Sequence, residues 1–188
     1  WINRSMLTDF VFLFVAGIIG GAVNSMAGGG SFVTFPALIF AGLPPVTANA
    51  TNTFSSCLGY LSGAYAFREQ LQQIKSQLFY YLLVSLVGGI TGAWVLLQAT
   101  EVQFKEAIPW LLLCTTLLLI FGEKISGTIK KANMSMPEFI VLAEYLLVIL
   151  LFAVCFYGGF FNAGFGFVIL SYLMLSGLQD INTMNAIK

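Results

Sequence analysis

Ser25-Met-Ala-Gly-Gly-Gly-Ser31 places three consecutive glycines inside an uncharged region that runs from Phe10 to Phe67. Each glycine costs a helix interior roughly 1 kcal/mol relative to alanine, so the run marks a point where an apolar helix stops. Its surroundings are those of a membrane protein: 59% of the chain is hydrophobic and 9% is charged, against roughly 25% charged in a soluble domain. The expected fold class is an all-α integral membrane protein, a polytopic helix bundle. Eight basic and eight acidic residues cancel, and histidine is absent. Nothing here points to nucleic acid, and the commonest metal ligand and neutral-pH proton shuttle is missing.

Enzyme chemistry has little to stand on. Cys57, Cys114 and Cys155 are far apart, each within an apolar run, and show neither a disulfide framework nor a metal-ligand spacing. They read as small apolar packing residues. There is no His-assisted nucleophile and no close carboxylate pair, so no catalytic residue, metal or cofactor is expected. Ser31-Phe-Val follows the glycines where a phosphate loop needs Gly-Lys-Ser/Thr. The opening Trp-Ile-Asn-Arg lacks Met and reads as trimmed or internal. The apolar run after it exceeds the ~7–15 residues of a signal peptide.

A bilayer core of about 30 Å takes roughly 20 apolar helical residues. The predicted spans are Met6–Met26, Val46–Phe67, Gln77–Gln98, Phe104–Gly122 and Pro137–Tyr157. Two further apolar pieces, Phe32–Gly42 and Phe165–Gly177, would reach only about 16–20 Å at 1.5 Å per residue, and read as half-helices. Arg68 and Lys75 in one connection, and Lys124, Lys130 and Lys131 in another, place both on the cytoplasmic side. The intervening connection carries Glu101, Lys105 and Glu106 and fits the opposite side.

The chain repeats its own plan. Gly20-Gly-Ala-Val-Asn-Ser-Met-Ala-Gly-Gly-Gly30, a short apolar piece and Gly42-Leu43 are echoed by Gly158-Gly-Phe-Phe-Asn-Ala-Gly-Phe-Gly166, a short apolar piece and Gly177-Leu178. A polar cluster follows each, Thr47–Thr53 and Asn182–Lys188. This predicts two homologous repeats, each with a broken or half-length helix: a first transmembrane repeat over 1–122, a cytoplasmic connection over 123–136 and the start of a second repeat over 137–188, whose remainder is absent. If Phe32–Gly42 counts as a crossing the repeats are inverted, and if it is re-entrant they are parallel. Alternating access favours the inverted arrangement and Arg4 the parallel one.

Interrupted hydrophobic segments at matching places in two halves point to a transporter's binding site, because a broken helix frees N–H and C=O groups that hydrocarbon cannot satisfy. The predicted substrate-binding set is Asn24, Gly28, Gly29, Gly30, Asn49, Thr51, Asn52, Thr53, Asn162, Gly164, Gly166, Asn185 and Lys188. The glycines would allow close backbone approach to a ligand. Asn49, Asn52 and Thr53 share a helix face and would hold anion oxygens, or instead serve as interhelical glue. Asn24 and Asn162 would contact substrate or cap freed N–H groups. Lys188 would be the counter-charge of an anion or a lysine snorkelling to the interface. Glu144 could carry a coupling proton.

Gly20-Gly21…Ala27-Gly-Gly-Gly30…Pro36-Ala-Leu…Gly42-Leu-Pro-Pro45…Ala48-Asn-Ala-Thr-Asn52, with Tyr157-Gly-Gly-Phe-Phe-Asn-Ala-Gly-Phe-Gly166…Gly177-Leu…Asn185-Ala-Ile-Lys188, resembles the sulfite exporter TauE/SafE family, also called the toluenesulfonate uptake permeases. The resemblance implies a multi-pass bacterial inner-membrane permease or exporter for small sulfur-containing anions such as sulfite, thiosulfate, sulfoacetate or other organosulfonates. Its partners would be that substrate and the bilayer, with no nucleic acid and a homodimer as an open alternative. Thr53 departs from the family pattern, which often has Lys there, and Phe165 interrupts the second glycine cluster. The competing function is a channel with paired re-entrant segments for a small anion or neutral solute.

Overall fold

The computed structural model describes the backbone of residues 4–131 and 137–188, and the side chains of 7–25, 28–72, 74–75, 77–117, 120 and 145–188. All regular structure among these residues is helical: α1 (Arg4–Ala27), α2 (Ser31–Phe40), α3 (Pro45–Ala66), α4 (Arg68–Gln73), α5 (Lys75–Gln98), α6 (Glu101–Lys131), α7 (Pro137–Phe160), α8 (Phe165–Leu175) and α9 (Ile181–Ile187). Leu7–Ser25 and Gln77–Gln98, 19 and 22 residues, are long and apolar enough to cross a membrane. The 22-residue α3 equals the latter in length, but Asn49, Asn52 and its Thr and Ser residues lower its hydropathy, and it is not among them. At 10 and 11 residues, α2 and α8 fall short of the roughly 20 a crossing needs.

The outer surface is what lipid requires. Phe10, Phe14 and Ile18 on α1, and Leu82, Leu86, Ile90 and Trp94 on α5, are each between 58% and 66% exposed. Their spacing of four residues stacks them on one face of each helix. Polar residues such as Asn49, Asn52, Thr115 and Asn162 are instead buried between helices.

Helix boundaries follow local chemistry. Before α6, the Thr100 N–H donates to Gln103 Oε1 at 3.0 Å and the Gln103 N–H returns to Thr100 Oγ1 at 3.3 Å. This is a capping box, and it starts the helix three residues before the predicted Phe104–Gly122 span. The same helix continues through Lys131, so the first part of the connection read at 123–136 is helical. Each short helix ends alike: the Gly42 N–H bonds Ile39 O and the Leu43 N–H bonds Leu38 O, while Gly177 and Leu178 do the same to Met174 and Leu173. These are Schellman closures, which need a left-handed residue, and Gly42 and Gly177 supply it at φ 88° and 103°.

Among the described residues two cores form beneath. Phe35 of α2, Ala48 of α3, Leu96 of α5 and Phe104 of α6 gather around Phe161 and Ala163 of the α7–α8 connection, with the Phe35 and Phe161 rings edge to face at 5.4 Å. A second cluster joins Leu151, Val154 and Cys155 of α7 to α8 and to Met184 of α9. Helix α5 packs along α7 through glycine: a Cβ on Gly88 would lie 2.8 Å from Cys155 Cβ, and one on Gly92 would overlap the Phe156 backbone. Small residues four apart let membrane helices approach closely and gain dispersion energy.

Candidate functional site

The glycine-rich break at 28–30 between α1 and α2 meets the first turn of α8, which directly follows the second break at 161–164 between α7 and α8. A Cβ on Gly28 would lie 2.7 Å from the Gly166 carbonyl carbon, and one on Gly29 would run into the Phe167 ring. Gly28 and Gly164 both hold φ at 81°. The glycines are expected to allow close backbone approach to a ligand; in the structure Gly28 and Gly29 closely approach the first turn of α8. Gly30 packs likewise on Gly20, and Gly164 on Thr115 and Phe32.

Helix α3 runs between the breaks, and its polar cluster divides. Asn49, 1% exposed, donates from Nδ2 to Phe160 O at 3.1 Å and accepts at Oδ1 from the Asn162 N–H at 3.2 Å. Asn49 thus bonds the second break with one of its two Nδ2 N–H groups and with Oδ1. Asn52 turns to the first break, where its Oδ1 accepts from Thr34 Oγ1 of α2. Thr53 donates to Asn49 O one turn back, and Thr51 is exposed, with its carbonyl accepting from Ser55.

Helix α9 reaches the first break in the same manner. The Lys188 ammonium donates to Asn24 O at 3.2 Å and to Asn185 Oδ1 at 2.8 Å, and stands 5.7 Å from the centroid of the Tyr60 ring. Asn24 O already accepts the Gly28 N–H, at the C-terminal, negative end of α1. Among the described residues Lys188 has no carboxylate partner. Asp180 sits at the far end of α9 as its N-cap, accepting from the Asn182 and Thr183 N–H groups at 3.4 and 2.9 Å and from Thr183 Oγ1 at 2.6 Å. These Thr183 bonds hold its exposed carboxyl below the ordinary aspartate range.

Around Lys188 lies a cavity of about 420 Å³ lined by Asn24, Tyr60, Asn185 and the Gly21, Gly59 and Gly63 backbone. A smaller one of about 120 Å³ shares Gly21, Asn24 and Gly59 with it and extends to Ser31, Thr34 and Asn52. Three buried polar atoms on these walls, Asn24 Oδ1, Asn52 Nδ2 and the Tyr60 hydroxyl, have no partner among the described residues. A third cavity, of about 240 Å³ between α6, α7 and α8, is walled by apolar atoms and offers an anion nothing. Asn162 Nδ2 is likewise unpartnered, within the second break.

The structure thus brings Asn24, Asn185 and Lys188 to one cleft and Asn52 to the smaller cavity beside it, which Asn24 also lines. Asn49 and Asn162 lie at the second break, and Thr51 and Thr53 stand apart. The Glu144 side chain lies outside the described residues. Three participants were not read from the sequence. Tyr60 falls on the same α3 face as Asn49, Asn52 and Ser56 by helical spacing, a signal that was available. Tyr157, which donates to Ala163 O at 2.8 Å and bonds Thr115 Oγ1 at 3.0 Å, pins the second break. Glu101 accepts the Val46 N–H at 2.9 Å, tying the start of α6 to the first turn of α3, where proline occupies positions 44 and 45.

Residues 13–188 match the family model described as sulfite exporter TauE/SafE. The chain belongs to that family. Among curated relatives, a probable membrane transporter protein of Haemophilus influenzae is 31% identical over 155 residues, covering 82% of this chain and 58% of its own length. The probable membrane transporter protein YfcA of Escherichia coli K12 is 29% identical over 169 residues, 89% of this chain and 60% of its own. ORF9 of a Sinorhizobium species, with the same description, is 32% identical over 169 residues, 88% of this chain and 61% of its own. The chain therefore spans about three-fifths of the length of these relatives. No solved structure matches it. As a TauE/SafE member with exposed apolar helices long enough to cross a bilayer, it is a membrane protein.

Proposed function

We propose that this protein is a secondary transporter for small sulfur-containing anions, of the sulfite, thiosulfate, sulfoacetate or organosulfonate kind, working by alternating access in a bacterial inner membrane. One observation carries the reading: Lys188 stands in a cleft beside a helix break with only neutral oxygens as partners. An ammonium at membrane depth is costly unless its charge is answered, and the Asn24 and Asn185 oxygens solvate it without cancelling it. A small anion would do so, with an attraction several times that in bulk water.

The architecture supports the mechanism. Each short helix follows a break with glycine at φ 81° and ends in a Gly-Leu closure, so α1–α3 and α7–α9 read as two related units. Asn49 of the first unit holds the break of the second, and Lys188 of the second holds the break of the first. Rocking one unit against the other must release one of these contacts. Paired broken helices holding a site at their junction are the arrangement alternating access uses.

Reconstitution into liposomes tests this. Saturable uptake of radiolabelled sulfite or thiosulfate, with counterflow and its loss in Lys188→Met, is the expected result. Ion conductance without counterflow would make the protein a channel. No stabilisation in a thermal-shift panel of sulfite, thiosulfate, sulfoacetate, taurine, sulfate and acetate would remove the sulfur-anion assignment.

A further inference from the structure

Lys188 uses two of its three N–H groups on Asn24 O and Asn185 Oδ1, which leaves one for a ligand. The Tyr60 ring stands 5.7 Å from Nζ, lines the same cavity and meets Phe165, the first residue of α8, edge to face at 6.4 Å. Its hydroxyl is closed to solvent and has no partner among the described residues. A buried hydroxyl left unbonded is costly, so this arrangement keeps a donor in reserve on a ring that stands beside a cation lacking an anion. The next unpartnered donor, Asn52 Nδ2, belongs to the adjoining cavity.

We propose that Tyr60 is a specificity-determining residue of this cleft: its hydroxyl donates to one oxygen of a bound oxyanion while the Lys188 ammonium holds another. The assignment rests on the reading of Lys188 as the counter-charge, and it adds what that reading leaves open, the kind of anion. Donors from two separate parts of the chain, α3 and the residue that follows α9, suit an ion with several acceptor oxygens, which both can hold at once. A monatomic halide can accept several hydrogen bonds but only at one centre, so when held at the ammonium it has no second atom to extend to the hydroxyl. The Tyr60 ring also contributes its negative face to the ammonium, a contact that phenylalanine keeps.

Titration of the purified protein in lipid nanodiscs with sodium sulfite, sodium sulfate and sodium bromide decides this, comparing the parent with Tyr60→Phe and Lys188→Met. A lost hydrogen bond to a charged group predicts tenfold to hundredfold weaker sulfite and sulfate binding in Tyr60→Phe, with bromide binding and the melting temperature unchanged. Lys188→Met should lose all three ions. Unaltered oxyanion affinity in Tyr60→Phe, or an equal loss for bromide, overturns the assignment of Tyr60 while the reading of Lys188 stands. Parent-like binding in Lys188→Met overturns that reading and the Tyr60 assignment with it. An absence of oxyanion binding in the parent overturns both.

Discussion

Asn49 of α3 embraces the backbone around Asn162, giving its Nδ2 proton to Phe160 O and taking the Asn162 N–H on Oδ1. A helix that follows the first break thereby closes the second. The chain ends freed between α7 and α8 would otherwise present bare polar groups to an apolar interior, which hydrocarbon does not tolerate.

Asn49→Ala removes both bonds and leaves a buried N–H and C=O unpaired. Interhelical hydrogen bonds in membranes average about 0.6 kcal/mol and reach about 1.7, so a loss of about 1–3 kcal/mol is expected. Thr51→Ala, at an exposed neighbour on the same helix, should stay within ~0.5 kcal/mol. Thermal unfolding in detergent compares them, and equal melting temperatures would show that Asn49 does not hold the break.

The meeting of Gly28 and Gly166 predicts a graded response to a single methyl. Gly166→Ala pushes a Cβ into the Gly28 backbone, an overpacking cost of about 1–3 kcal/mol. Gly28→Ala adds a left-handed penalty of about 1–2 kcal/mol because its φ is 81°. Gly21→Ala meets nothing within 4 Å and serves as the control. Expression and melting temperature should rank Gly21→Ala above Gly166→Ala, and Gly166→Ala above Gly28→Ala.

The Asp180 cap makes the order of α9 depend on pH in one direction. Its folded value is lowered by the Thr183 bonds, so the cap is fully present above the unfolded aspartate value. It is lost only as pH falls through the lower folded value. Hydrogen exchange at the Asn182 and Thr183 amides should stay protected from pH 8 to about 5, well above aspartate's ordinary value of about 3.9, and open in stronger acid. In Asp180→Asn that acid step should vanish. An acid step retained in the variant would assign it to another group.

Much of this was legible in residue order. The positions of both breaks follow from glycine runs inside apolar stretches. The shortness of α2 and α8 follows from Pro44-Pro45 and Gly177. Other parts were legible and passed over: Thr100 and Gln103 spell a capping box, and Tyr60 shares the α3 face of Asn52. Hydropathy counts apolar runs and is blind to both signals. The split of the 47–53 cluster was not legible. Asn49 and Asn52 lie on one face by periodicity, yet a helix wedged between two breaks offers each a different neighbour.

By itself the sequence determined a membrane-embedded helical chain, its interruptions and its family, because composition, hydropathy and glycine placement act locally along the chain. Only the tertiary structure decided what the interruptions pack against. The glycines face each other because two backbones are brought within a methyl group's width. Asn49 reaches the second break and Lys188 the first because partners more than a hundred residues apart are chosen by helix packing, which no local pattern encodes.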